Sequence, residues 1–246
     1  MNTLTGKVAL VTGGSRGIGA GIVRALAANG ADVAFTYVTS HEKADALANE
    51  IRTMGRKATA INADAANAEQ IIAAVERTAS EFGRLDILVN NAGNFVTGNV
   101  EQLTLADFDR SMCVNVRAVF AAILQASRHL PEHGRIITIG SCLASYAGRG
   151  GISMYTTSKA ALVGLTKGVA RDLGHRQITV NLLQPGSINT DMNPSDSERA
   201  PAALAKMALP AYGEPADIAA AVVYLAGEGG RFVTGATLDI DGGINA

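Results

Sequence analysis

A doubly wound α/β fold, a parallel sheet with helices on both faces, is predicted for this 246-residue chain by three observations. Short β-branched runs alternate with longer stretches of 3.6-residue apolar periodicity. Glycines close the helical stretches at Gly30, Gly55, Gly83 and Gly174, where a left-handed C′ residue is expected. No linker or composition shift divides the chain, so residues 1–246 read as a single domain, and 27 glycines with no tryptophan suit an α/β protein with many tight turns.

The elements follow in order. KVALVTG reads as a strand that enters a glycine turn and the helix GIGAGIVRALAANG, followed by the strand ADVAFTY, the helix HEKADALANEIRTMG and the strand KATAINA. The pattern continues with AEQIIAAVERTASEFG and LDILVNNAG, a long helical stretch ending near Leu130, GRIITIGS, YTTSKAALVGLTKGVARDLG and QITVNLLQPG. Such βαβ repetition requires right-handed crossovers and a parallel sheet. One irregular region, residues 189–215, carries four prolines in a Met/Leu/Ala-rich segment after a strand end, where such folds place a substrate lid.

Composition bounds the function. With a formal net charge of −1 and 17% charged residues the chain has no basic footprint for nucleic acid and no Lys/Arg run for a membrane surface. Cys113 and Cys142 form no CxxC pair, which fits a reducing cytoplasm. The apolar N-terminal run is too short for a secretory signal. His41, His129, His133 and His175 are scattered, none is expected to pair with an acid at helical spacing, and no metal site is expected.

The strongest chemical signal is VALVTGGSRGIGAGIV, in which Gly13, Gly17 and Gly19 suit a backbone that approaches a pyrophosphate at a helix N-terminus. A plain strand-to-helix connection is the alternative for the turn alone. An NAD site carries an acid about 20 residues further on to hold the ribose 2′-hydroxyl. Here that place reads Tyr37, Val38, Thr39, Ser40, with no carboxylate. Arg16 offers a guanidinium to a 2′-phosphate, with Thr39, Ser40 and Lys43 as further donors, so NADP(H) is expected over NAD(H); a solvated surface arginine is the alternative.

The glycine spacing, NNAG at 90–93, Asn115, Ser141 and YTTSK at 155–159 together resemble the short-chain dehydrogenase/reductase family, a Rossmann-type fold, from Lys7 to IDGG at 240–243. The resemblance implies a cofactor cradle of Gly13, Ser15, Arg16, Gly17, Ile18 and Gly19, with Thr39 and Ser40 beside it. It implies adenine contacts from Asp64 and Ala65, a ribose contact from Asn90 followed by Ala92 and Gly93, and nicotinamide contacts from Ile188 and Thr190 after Pro185 and Gly186. Asn115, Ser141, Tyr155 and Lys159 are the implied catalytic residues, the last two also touching the cofactor. Asn115 would hold a relay water on its backbone carbonyl; an asparagine bonding locally in a helix is the alternative reading.

Tyr155 and Lys159 also stand on their own reading. Positions i and i+4 share a helix face, and a nearby ammonium favours phenolate, so the Tyr155 pKa is expected to fall from ~10 toward the working range. Tyr155 can then give a proton to a carbonyl oxygen. The family's serine usually stands thirteen positions before the tyrosine, a place held here by Cys142, with Ser141 one further back. Ser141 is the expected partner, because RIITIGS ends a strand in the family's way, an extra loop residue is cheaply absorbed, and a thiol is a poor donor to a carbonyl oxygen.

The expected activity is that of an NADPH-dependent carbonyl reductase acting on a free small or medium ketone, aldehyde or secondary alcohol, with Met192, Leu204, Met207 and Leu209 as apolar walls. Two alternatives are carried. The chain is similar to the 3-oxoacyl-[acyl-carrier-protein] reductases, yet Glu132 stands where a basic docking residue is common, whereas Arg176 is kept. The glycine turn and QPGSINTDMNP are also similar to a cyclic-di-GMP-binding, biofilm-dispersal branch. The resemblance further implies a homotetramer assembled through helices covering about 106–130 and 155–173. The second of these is apolar over more than the ~100° needed to pack on one sheet.

Overall fold

The computed structural model describes residues 3–246. Seven parallel strands run β1 (Val8–Val11), β2 (Asp32–Tyr37), β3 (Ala58–Asn62), β4 (Ile87–Asn90), β5 (Arg135–Ile139), β6 (Thr179–Pro185) and β7 (Thr237–Ile240). Between them lie α1 (Gly17–Ala28), α2 (His41–Thr53), α3 (Ala68–Phe82), α4 (Leu105–Met112), α5 (Ala118–Ala126), α6 (Ser153–Leu173), α7 (Ala200–Leu204) and α8 (Pro215–Ala226). The sheet order is β3-β2-β1-β4-β5-β6-β7, the doubly wound arrangement the sequence predicts.

Strand alternation sorts the core into two layers. Ala9, Val11, Val33 and Phe35 point to the face covered by α1, α2 and α8. Their neighbours Leu10 and Ala34 point to the face covered by α3, α5 and α6. The sheet's N-terminal edge is fastened by Asp86, whose carboxylate is 3% exposed and accepts from the Arg84 guanidinium (2.7 and 2.6 Å), the Val8 N–H (3.0 Å) and Lys7 (3.5 Å). The C-terminal edge is left open for a site.

Four features differ from expectation. Gly30, Gly55 and Gly83 do hold φ of +100°, +76° and +77°, but Gly174 stays right-handed at φ −60°. The chain continues there through one 3-10 turn, and the left-handed residue is Gln177 at φ +55°. The long helical stretch before Leu130 is broken into α4 and α5 by a π-helical turn, Cys113–Arg117. β7 lies in a segment too short and polar to read as a strand, and it forms by pairing along β6. His41 pairs with Asp45 one helical turn on (3.2 Å), while its Nδ1 meets the Tyr37 hydroxyl at 2.8 Å.

The irregular stretch after β6 leaves the sheet between two short bridges, Ile188 with Gly213 and Thr190 with Asn193, and contains α7. Lys43 on α2 reaches Asp191 in this segment at 3.1 Å, and Lys206 donates to the Gly148 carbonyl oxygen at 3.0 Å. The lid is thus tied down at both ends of the crevice it covers.

Candidate active site

β1 pairs with β2 on one side and β4 on the other, so the connections diverge and a crevice opens at the strands' C-terminal ends. A cavity of about 1090 Å³ fills it, at the top of the ~300–1,000 Å³ range of small-molecule sites. Gly13, Ser15, Arg16, Gly17, Ile18 and Gly19 all line it. Gly13 and Gly17 hold φ of +64° and +52°. A Cβ on Gly19 would lie 2.3 Å from the Gly13 carbonyl oxygen, so only glycine lets α1 start this close under the turn.

The turn is stitched to the end of β4 by a residue the sequence reading passed over. Asn91 donates to the carbonyl oxygens of Thr12 (3.0 Å) and Gly13 (2.9 Å), and the Thr12 hydroxyl accepts from the N–H groups of Asn91 and Ala92. Asn90, expected against a ribose, instead turns to Thr138 (3.4 Å) and stays 2% exposed. Strand alternation is the reason: one step along the chain moves the side chain from the sheet's interior to the cavity wall. Ala92 and Gly93 line the cavity as expected, and so do Asp64 and Ala65.

At the end of β2, Thr39 and Ser40 line the wall and no carboxylate stands with them. Arg16 is exposed, and its guanidinium makes no hydrogen bond or ion pair with the described residues. Ser40 precedes α2 without capping it through its side chain. An uncommitted guanidinium and an uncapped helix start suit a phosphate monoester. Lys43 is directed to Asp191 and is not a wall residue. Across the crevice Pro185, Gly186, Ile188 and Thr190 form the opposite wall, with the Thr190 methyl 3.4 Å from where a Gly17 Cβ would stand. These residues, with the glycine turn, fit a dinucleotide that carries a 2′-phosphate.

Ser141 stands two residues past β5, Tyr155 and Lys159 rise from α6, and all three line the same cavity. The Ser141 hydroxyl acts on the Tyr155 phenol to lower its pKa, and its Oγ accepts from the Leu143 N–H at 3.2 Å, whereas Cys142 is 3% exposed, its carbonyl held by Asn245 (3.0 Å) and its thiol pushed up to about 11 by burial and by Asp241. Cys142 borders the same cavity, but its thiol is held protonated. Lys159 Nζ donates to the Ile139 carbonyl oxygen at 3.0 Å and lies 5.7 Å from the centre of the Tyr155 ring. Burial lowers the Lys159 ammonium to about 8.

Tyr155 departs from expectation. Its pKa is raised, first by burial and further by Cys142, and the neighbouring Ser141 hydroxyl only partly offsets this. Lys159 does not reverse the shift, because its ammonium sits beneath the ring, bonded to a backbone carbonyl and itself starved of water. Asn115 lies in the π-helical turn with its side chain fully committed, accepting from the Asn94 N–H (2.9 Å) and donating to the Asn94 carbonyl (3.1 Å) and Ser158 Oγ (2.9 Å). It does not line the cavity; it fixes the loop after β4 and the residue before Lys159.

Beyond Tyr155 the wall differs from the apolar one expected. Met192 lines the cavity; Leu204, Met207 and Leu209 do not. α7 presents Ala202 and Ala203 inward instead of Leu204, and past its end Met207 packs on Gly242 while Leu209 is 67% exposed. Phe95 stands edge-on to Tyr155, ring centres 4.6 Å apart and planes at 82°, and Arg149 lies over Phe95 at 5.8 Å. Glu198, Arg199 and Lys206 complete this end.

Comparison with known proteins agrees with the geometry. A family model for enoyl-(acyl carrier protein) reductases matches residues 13–245. The chain is 42% identical over the full length of both proteins to a cyclic-di-GMP-binding biofilm dispersal mediator protein of Escherichia coli K12. A short-chain dehydrogenase from Burkholderia cenocepacia J2315, solved in complex with NADP, superposes with a TM-score of 0.98 at 54% identity, covering 99% of this chain and 100% of that one. A blue fluorescent protein from a metagenomic library, solved with NADPH, gives 0.98 at 55% identity with the same coverage. With the glycine turn, the Ser141, Tyr155 and Lys159 grouping and this likeness over nearly its whole length, the chain belongs to the short-chain dehydrogenase/reductase family.

Proposed function

We propose that the protein is an NADPH-dependent carbonyl reductase that reduces a free ketone or aldehyde and runs in reverse as an alcohol dehydrogenase. The observation that carries this is the Ser141–Tyr155 hydroxyl pair standing over buried Lys159 at one end of the glycine-turn crevice. Arg16, Thr39 and Ser40, with no carboxylate among them, favour the 2′-phosphorylated cofactor, and two close structural relatives were solved with NADP and NADPH.

Bound NADPH supplies the hydride. The chain's own residues manage the proton and the oxygen. A substrate carbonyl oxygen placed between Ser141 and Tyr155 accepts a hydrogen bond from each, which polarises the carbonyl. Burial keeps the phenol protonated, the state required of an acid in the reductive direction. As the carbonyl carbon takes hydride, the oxygen takes the Tyr155 proton, and the Lys159 ammonium beneath the ring stabilises the phenolate left behind. Solvent then restores the proton. Asn115 acts by holding this segment in place.

The test is a panel of ketones, aldehydes and alcohols followed by NADPH absorbance, with cofactor binding followed separately by NADPH fluorescence. Cofactor binding with no turnover on any member would overturn the assignment. A regulatory reading is favoured by one observation, the likeness to the E. coli dispersal mediator, and a cyclic-di-GMP titration alongside the panel tests it. A carrier-protein substrate is disfavoured: Arg176 donates to the carbonyl oxygens of Ser127 (2.6 Å) and Leu130, closing the end of α5 rather than facing a partner. The proposed assembly is a cytoplasmic homotetramer. Exposed Phe120 and Leu124 on α5, open Gly164 and Gly168 on α6, and two free cysteines support it.

A further inference from the structure

We propose that the substrate end of the cleft selects an oxo acid: a ketone separated by an apolar spacer from a carboxylate, which Arg149 receives with help from Lys206 and Arg199. This rests on the reductase reading and names its substrate class.

Three observations converge on that end of the cavity. The first is position. Tyr155 touches Phe95, and Phe95 carries Arg149 on its face, so the guanidinium stands two ring contacts away from the reacting hydroxyl. The second is how the cations are brought together. Lys206 comes from the lid and donates to the carbonyl of Gly148, the residue before Arg149, so lid and loop meet at a paired positive end. Arg199, at the start of α7, lines the same cavity. The third is charge balance. Neither the Arg149 nor the Arg199 guanidinium forms a hydrogen bond or ion pair with any described residue, and among the described residues Glu198 is the one carboxylate lining this end. Asp191, further along the lid, is already held by Lys43.

A guanidinium whose face is held by a ring keeps its N–H edge free, and that edge matches a carboxylate in a two-point fork. The intervening wall of Phe95, Tyr146, Met192 and Tyr212 asks for apolar atoms between the carbonyl and the anion. A purely apolar ketone would gain nothing from these cations, which are solvent-exposed, whereas a carboxylate adds a charge-assisted contact. An oxo acid satisfies both ends at once.

The experiment compares 4-, 5- and 6-oxo acids, alkyl and aryl, with their methyl esters. It measures kcat/KM by NADPH loss and the affinity of each compound for the NADPH-loaded protein by calorimetry. The expected result is that at least one acid is preferred over its ester by roughly tenfold or more in both measurements. Arg149→Gln should bring the acid-to-ester ratio close to one, Lys206→Gln should reduce it in part, and raised salt should narrow it. Equal binding of acids and esters, or a ratio unchanged in Arg149→Gln, overturns the proposal, as does failure of every acid to bind. If acids bind in an Arg149-dependent way but nothing is reduced, the anion site stands and the reductase reading falls.

Discussion

Lys159 donates to the Ile139 carbonyl oxygen at 3.0 Å and lies 5.7 Å from the centre of the Tyr155 ring. In the proposed reaction the roles are therefore divided: the lysine supports the ring from below, and the serine would share the substrate's oxygen. Tyr155→Phe should bind NADPH normally and lose roughly 10²–10⁴-fold in turnover, the usual worth of a positioned proton donor. Ser141→Ala should cost far more activity than Cys142→Ala. The reverse ranking, read from kcat/KM on the best ketone, would move the polarising role to position 142.

Burial of Lys159 also has a stability consequence. Its ammonium titrates at about 8 in the folded chain against an ordinary 10.5. Between those values the unfolded chain holds the proton and the folded chain does not, so this group makes the protein more stable as pH rises through the window. Cys142, raised from 9.0 to about 11, acts in the opposite sense above pH 9, since there the unfolded thiol ionises first. In a Cys142→Ala background the urea midpoint should climb from pH 8 to 10, by on the order of 1–3 kcal/mol in stability. Adding Lys159→Met should flatten the climb. A flat profile with Lys159 present would show that the ammonium is not desolvated.

Most of the fold and the catalytic grouping is legible in the sequence because each rests on a short-range rule. Strand and helix periods differ, glycine marks the turn, and i to i+4 spacing puts Tyr155 and Lys159 on one face. What was not legible depends on contacts between distant segments. Asn91 rather than Asn90 reaches the crevice because of where β4 stops, and a one-residue shift is invisible without the register. The Tyr155 pKa turned on how deeply its ring is packed, and the lid wall turned on the rotation of α7, whose five residues carry too little pattern to fix a face.

Cofactor choice tests a residue, Arg16, that was readable. Arg16→Ala should weaken NADPH by roughly ten- to hundredfold, the loss of a charge-assisted hydrogen bond, and leave NADH within about twofold. Fluorescence titration with both cofactors decides it. Equal losses would mean that Arg16 only supports the turn.

The glycine turn gives a sharper steric prediction. In Gly19→Ala the new methyl would fall 2.3 Å from the Gly13 carbonyl oxygen and 2.5 Å from Asn91 Nδ2. Neither can retreat cheaply, since one is backbone and the other anchors that backbone. The start of α1 must move, at a cost of about 1–3 kcal/mol. Thermal unfolding should shift down and NADPH affinity should fall with it. Gly164→Ala, where a Cβ meets nothing within 4 Å in the chain, should leave the NADPH affinity unchanged.

Assembly provides the last prediction, and the same open glycine makes it. α6 buries Leu162, Thr166, Val169 and Ala170 within the chain, whereas Ala160, Gly164 and Gly168 remain exposed on its other side. Beside them α5 leaves Phe120 49% and Leu124 45% exposed. A second patch at the far sheet edge includes Tyr224 at 52%, Phe232 at 96% and Leu238 at 36%. Two separate apolar patches on one chain are what two different two-fold contacts require, and two such axes generate a tetramer. Light scattering at micromolar concentration should give four times the mass of one chain. Phe120→Glu should break one contact and Phe232→Glu the other, each leaving dimers, because a charge placed on one patch cannot reach the other axis. A fully active single chain would refute the assembly. Loss of tetramers in only one variant would place the second interface elsewhere than at β7.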